Sequence, residues 1–227
     1  LETEQRKLYL AAVVDAREKL RAAKPEDKMT VFAVLMRLRE ICCDPRLVAD
    51  NWTGSSAKLD ACLELVTEAV AGGHRILLFS QFTSMLELLA KRLDEAGVSH
   101  FTLQGSTPKP VRAEQVRRFN QGEADVFLIS LRAGGTGLNL TAADIVIHYD
   151  PWWNLAAQNQ ATDRAYRIGQ RNPVQVYRLI AQDTIEEKIV ELQQAKQSLA
   201  DTVTGGADGA ILSMNPEQLL QLLGEEA

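Results

Sequence analysis

The chain has 227 residues, a formal net charge of −5, and 46% hydrophobic against 24% charged residues. That is ordinary globular composition for one domain or one and a half, with enough apolar content for a sizeable core. No run of about 18 apolar residues and no basic-then-apolar leader occurs, so neither a membrane span nor a signal peptide is predicted.

Residues from Glu2 to about Ala23 read as a helix with Leu8, Val13 and Leu20 among its apolar positions, and Pro25 and Asp27 punctuate it. A second helix carries Val31, Leu35, Leu38 and Cys42 at i, i+4, i+7 and i+11, and Pro45 stops it. Ala49 to Ser56 reads as a loop or linker, and a third helix runs from about Lys58 to Val70, ending at Gly72-Gly73. The pattern then changes to short apolar runs alternating with helices. Strands are predicted at Arg75–Phe79, Val98–Leu103, Asp125–Ile129, Ile145–His148 and Val174–Ile180. Helices are predicted at Thr83 to Glu95, after Pro110 to Asn120, and from about Asn154 to Arg167. Such alternation implies a parallel sheet covered on both faces. Thr184-Ile-Glu-Glu187 reads as a capping box opening a long helix with Ile185, Ile189, Leu192, Leu199 and Val203 on one side. Gly205-Gly206 reads as mobile, and Asn215 to Leu223 as a last short helix.

The three cysteines, Cys42, Cys43 and Cys62, are odd in number and none has metal-ligand spacing. Reduced, buried thiols in a cytosolic protein are expected. Charge is unevenly spread. Gln104 to Arg178 holds nine Lys/Arg against six Asp/Glu, whereas Asp183 to Ala227 holds two against nine. An acidic tail can therefore mask a basic working surface.

In open parallel sheets ligands bind at the carboxyl ends of the strands, and four loops there have unusual composition. Ser80-Gln81 could hydrogen-bond a nucleic-acid backbone or merely cap a helix. Gln104-Gly105-Ser106-Thr107, followed by Lys109 and Arg112, could offer backbone N–H groups to a phosphate or be an ordinary strand-to-helix turn. Ser130 to Asn139, with Arg132, Gly134, Gly135 and Gly137, lets the backbone approach a ligand closely. Tyr149-Asp-Pro-Trp152-Trp153-Asn154 sets two tryptophans side by side, one expected in the core and the other free to face nucleic acid or a partner. Beyond these loops, Gln160, Arg164 and Arg167 fall at i, i+4 and i+7 of the predicted helix, a placement suited to a phosphate gaining charge in phosphoryl transfer. The alternative for the arginines is a solvated face with Asp163 pairing to Arg167. No G-x-x-x-x-G-K-[ST] loop occurs in the chain, and His74, His100 and His148 are dispersed.

The array Phe79-Ser-Gln81, Gly105-Ser-Thr107, Ser130 to Leu140, Tyr149 to Asn154 and Gln160 to Gln170 resembles the second motor lobe of Swi/Snf-type ATPases. These are double-stranded-DNA translocases of the larger helicase superfamily. Arg37 to Pro45 is similar to the segment preceding that lobe, and Thr184 to Lys188 to the start of its bracing helix. Asp150 to Asn154 and Tyr166 point to the bacterial branch. The resemblance implies an α/β, RecA-like (P-loop NTPase-type) three-layer domain with a parallel sheet of about five to six strands. It sets a helical segment plus linker at 1–56, the RecA-like helicase C-terminal lobe at 57–182, and a bracing helix with an acidic tail at 183–227.

For function, the resemblance implies Arg164 and Arg167 as catalytic arginine fingers on ATP and Mg²⁺ bound mainly by a first lobe. Gln160, Gly135, Gly137 and Asn139 would line the nucleotide cleft. Ser80, Gln81, Thr107, Arg132 and Trp153 would face the DNA backbone. Leu131 stands where many relatives have a hydroxyl residue, and Tyr166 where many have His. The expected whole is an ATP-hydrolysing, nucleotide-binding and DNA-binding translocase, cytoplasmic and DNA-associated, with double-stranded DNA, its own first lobe and DNA-bound proteins as partners. The chain alone is expected to be inactive and to hold no cofactor. A start at Leu1 within a helix suggests an excised fragment. The rival expectations are a stand-alone interaction module and, less favoured, a flavodoxin-like small-molecule enzyme.

Overall fold

A computed structural model describes residues 1–131, 133, 138–152, 155–163, 165, 173–200 and 214–224, with 155–157 and 196–200 as backbone only. The chain divides into two compact units. One comprises Leu1–Lys58, Trp153–Leu155 and Ile180–Ala227; the other comprises Leu59–Trp152 and Ala156–Leu179.

The first unit is helical. Helix α1 (Thr3–Ala22) buries Gln5, Tyr9, Val13, Ala16 and Leu20, a stripe at spacings of three and four residues. The stripe runs through Gln5 and Tyr9 rather than Leu8, because both polar tips find partners inside. The Gln5 amide donates to the Ile41 carbonyl at 2.9 Å, and the Tyr9 hydroxyl accepts from the Ile185 N–H at 2.7 Å. Asp27 caps α2 (Lys28–Cys43) by accepting from the Thr30 N–H. The helix stops at Asp44, whose carboxylate grips Arg46 at 2.8 and 2.7 Å across a single 3₁₀ turn, Pro45–Leu47. Helices α7 (Ile185–Ala200) and α8 (Pro216–Leu222) complete this unit, so Ile185, Ile189 and Leu219 share one apolar core with Tyr9, Val13, Leu35 and Leu38.

The start of α7 differs from the expected capping box. The Thr184 hydroxyl accepts from the Glu186 N–H rather than that of residue 187, and the Glu187 carboxylate takes the Asp183 N–H instead. Asp183 has φ 57°, and this left-handed turn shifts the pairing by one residue. The Ile185 N–H, one of the first-turn donors without an intrahelical acceptor, is the one that Tyr9 satisfies.

The second unit is a sheet flanked by helices. Helix α3 (Ala57–Ala71) buries Leu59, Cys62, Val66 and Ala69. The strands are β1 (Ile76–Ser80), β2 (His100–Leu103), β3 (Val126–Ser130), β4 (Ile145–His148) and β5 (Gln175–Arg178). All pair in parallel, in the order β2-β3-β1-β4-β5. Strands β1, β3 and β4 are buried throughout and apolar up to their last residues, Ser80, Ser130 and His148, because both faces are covered. On one face Leu77, Phe79, Phe127, Ile129 and Val146 meet Phe119, Ala161 and Ala165. Large side chains buried this way contribute roughly 1.5–3 kcal/mol each.

The connecting helices are α4 (Thr83–Glu95), α5 (Lys109–Asn120) and α6 (Leu155–Thr162). Strand β2 starts two residues later than expected. The Val98 N–H closes the end of α4 on the Leu93 carbonyl at 2.9 Å, with Gly97 at φ +68°, so Val98 serves the helix end rather than the ladder. Helix α6 is shorter than expected and ends at Thr162. Beyond it the Ala165 N–H bonds Thr162 rather than residue 161, a three-residue turn in place of continued α-helix. Arg164, Arg167 and the glycines 205 and 206 lie outside the described residues.

Candidate functional site

Strand β1 is central. The chain leaves it toward β2 on one side and leaves β4 toward β5 on the other. The carboxyl ends of β1 and β4 thus flank a topological switch point, the place where open α/β sheets bind ligands. Ser80, Gln81, Tyr149 and Asp150 occupy that end.

Asp150 organises it. The residue is 1% exposed, and its carboxylate accepts the Ser80 hydroxyl at 2.6 Å and the Gln81 N–H at 3.2 and 3.4 Å. The Ser80 hydroxyl also accepts the Phe82 N–H at 3.2 Å. Backbone bonds from Leu131 to the Ser80 carbonyl and from Tyr149 to the Phe79 carbonyl join the ends of β3 and β4 to β1. Ser130 accepts from the Ala133 N–H and holds the first turn of the loop after β3. A buried carboxylate is costly unless hydrogen-bonded, and these donors meet that cost while holding three strand ends in register.

This geometry corrects one expectation. Ser80 is 0% exposed and spends its hydroxyl inside the unit, so it supports the corner rather than facing a ligand. Gln81, half-buried at the rim, remains the residue of that pair within reach of solvent. Thr107 is half-buried, and its hydroxyl accepts the Gln104 N–H at 3.0 Å, closing the strand-to-helix turn before α5. Asn139 is exposed, and its carbonyl accepts from Asn120, whose other side-chain atom takes the Ala142 N–H. Gln160 is exposed on α6. Leu131 is 8% exposed and packs in the sheet core, which accounts for an apolar residue at that position. Trp152 is half-buried against the same core. Arg132, Gly135, Gly137, Trp153, Arg164 and Arg167 lie outside the described residues.

Two contributors were not singled out from sequence, Asp150 and Asn120. The signal for Asp150 was an acid two residues beyond a buried strand and directly before a proline. Asn120, the last residue of α5, carried no signal that its partner lies 19 residues on.

Among the described residues, no three His, Cys, Asp or Glu side chains gather as metal ligands. All three cysteines are buried thiols outside any disulfide, and burial pushes the Cys42 thiol up to about 12. No described helix is long and apolar enough to cross a membrane.

The family model of the helicase conserved C-terminal domain matches residues 57–169. A putative ATP-dependent helicase/translocase of Bacillus subtilis, YwqA, is 38% identical over 98% of this chain and 25% of its own length. The mouse SWI/SNF-related matrix-associated actin-dependent regulator of chromatin, subfamily A member 1, is 37% identical over 88% of this chain and 20% of its own length. The Sulfolobus solfataricus SWI2/SNF2 ATPase core, solved in complex with double-stranded DNA, matches with a TM-score of 0.81 and 30% identity, over 100% of this chain and 49% of that one. The chain thus spans 20–25% of the length of these two curated relatives, and its parallel sheet is the RecA-like lobe of that structural class. The chain belongs to the helicase conserved C-terminal domain family, in its Swi/Snf-type branch.

Proposed function

We propose that this chain is the second motor lobe of a longer ATP-dependent translocase on double-stranded DNA. The observation that carries the reading is the hydrogen-bonded corner at the β1/β4 switch point, within a domain of the Swi/Snf branch. In this reading Arg164 and Arg167 reach a phosphate of ATP held mainly on the first lobe. Gln160, Gly135, Gly137 and Asn139 border the same cleft, and Gln160 and Asn139 are exposed and able to do so. Bound ATP and Mg²⁺ would supply the transferable phosphoryl group and its charge neutralisation. The chain's own part is to bring positive charge to that group as it leaves.

Gln81, Thr107, Arg132 and Trp153 face the DNA backbone, with Ser80 and Asp150 holding Gln81 in place. Binding through phosphates is weakly sequence-dependent and falls steeply with salt. A DNA-associated, cytoplasmic protein follows, with the first lobe of the same polypeptide and DNA-bound proteins as its other partners.

The test uses the longer polypeptide. Arg164→Ala and Arg167→Ala each lower DNA-stimulated ATP turnover by about a thousandfold or more, with unchanged circular dichroism. Normal turnover in both variants overturns the finger assignment. The 227-residue chain alone turns over no ATP, and robust hydrolysis by it refutes the division of labour.

A further inference from the structure

Three side chains on the far side of the switch point play no part in the contacts assigned so far. His148 ends β4, is 1% exposed, and stacks on Phe79 with ring centroids 5.5 Å apart. Its Nε2 lies 2.9 Å from the Thr162 hydroxyl at the last residue of α6. That hydroxyl lies 3.3 Å from the Gln158 carbonyl one turn back. Gln158 is 2% exposed, and its side-chain oxygen accepts the Trp152 N–H at 3.3 Å.

The hydrogens can be assigned along this chain of contacts. A threonine hydroxyl has one hydrogen, and the Gln158 carbonyl can only accept. Thr162 therefore donates to Gln158, and His148 donates its Nε2–H to Thr162. His148 is then the neutral tautomer with a bare Nδ1, and that atom is buried without a partner among the described residues. A bare lone pair is the less costly way to leave one ring nitrogen unpaired.

A threonine bonded to the carbonyl four residues back weakens and often bends a helix. Thr67 makes the same bond inside α3 without ending it, so at Thr162 the added contact is His148. Helix α6 does end here: the Asp163 N–H makes a four-residue bond to Asn159, and the Ala165 N–H turns back only three residues, to Thr162. We propose that His148, Thr162 and Gln158 form a clamp that fixes where α6 stops, and so fixes the backbone that precedes Arg164 and Arg167 in the chain. These are positioning residues. They hold the chain two residues before the first arginine, at Thr162, and the bearing on catalysis rests on the finger reading above.

The experiment has two arms. In this chain, hydrogen exchange is followed by mass spectrometry for Thr162→Val, which keeps the shape and loses the hydroxyl, and for Thr162→Ser, which keeps the hydroxyl. Amides of 155–165 in Thr162→Val exchange at least about tenfold faster, those of β1, β3 and β4 do not change, and Thr162→Ser behaves as the parent. In the longer polypeptide, Thr162→Val lowers kcat by roughly tenfold to a hundredfold, with KM for ATP within about twofold, the pattern of a misplaced group rather than lost binding. Parent-like exchange in Thr162→Val overturns the clamp. Faster exchange with an unchanged kcat overturns its bearing on the arginines. A loss of kcat in Thr162→Val beside normal turnover in Arg164→Ala upholds the clamp and sinks the finger reading instead.

Discussion

Glu186 in the helical unit and Asp150 in the sheet unit are both buried carboxylates, and the two are satisfied in different ways. In the helical unit, Glu186 pairs with the Lys58 ammonium, accepts the Ala181 N–H at 2.8 Å, and receives the Cys43 thiol at 3.9 Å. Both side chains of the ion pair are almost wholly buried. Burial alone would push the Lys58 ammonium down, but the charge of Glu186 beside it, helped by Cys43 and Cys42, holds it above its usual range. In the sheet unit, Asp150 takes a hydroxyl and a backbone N–H, and its partner residue Gln81 stands at the rim. The first network is closed on itself and anchors the start of α7. The second is built at the rim of the candidate site, where a strand hydroxyl and a loop N–H hold strand ends in place. A closed ion pair organises a core, whereas a carboxylate fed by loop amides organises a surface.

The comparison can be broken most directly at Glu186. Glu186→Leu takes the carboxylate away from the buried Lys58 ammonium, and urea unfolding should show a loss of about 3–5 kcal/mol. The double variant Lys58→Met with Glu186→Leu should recover most of it. A single-variant loss no larger than that of a surface substitution would mean that the pair anchors nothing.

Acid should strike the sheet unit next. Burial, then the charge of Arg178, pushes His148 down to about 4, while in the unfolded chain it titrates near its ordinary 6.5. Between these values the unfolded chain binds more protons, so stability rises with pH through this window. The contribution is complete above about 6.5 and is lost as pH falls toward 4, by up to roughly 3 kcal/mol. Melting curves at pH 7 and pH 4.5 should differ by less in His148→Gln than in the parent, and equal acid sensitivity would count against a buried neutral imidazole.

The smallest effect is expected at Ser80. Ser80→Ala withdraws the 2.6 Å donor from Asp150 and should cost about 1–3 kcal/mol. Because Asp150 also holds the Gln81 N–H, DNA affinity of the longer polypeptide should fall as well. A stability loss with unchanged DNA affinity would make the Asp150 network as closed as that of Glu186.

Much of the fold was legible from local pattern. Val126–Ile129 and Ile145–Ile147 are continuous apolar runs, and runs this short between turn residues read most readily as buried parallel strands. Ends were less legible because long-range bonds decide them. Val98 goes to the helix side of its turn, and α6 stops where Thr162 meets His148 from another element. The candidate site was visible as blocks of unusual loop composition, yet its organiser Asp150 was not singled out. A single acid after a strand looks the same whether it points to solvent or binds Ser80 seventy residues away.

By itself the sequence determined the alternation of strands and helices, the polar loops at the strand ends and the family to which those blocks belong. Apolar periodicity, turn chemistry and residue spacing are local properties of a chain. Only the tertiary structure decided that the expected leading segment and the bracing helix share one core, with Tyr9 capping α7 from 176 residues away. It also decided that Ser80 faces inward and that α6 ends at Thr162. These outcomes depend on which buried donor meets which buried acceptor, and that pairing exists only once distant segments have packed.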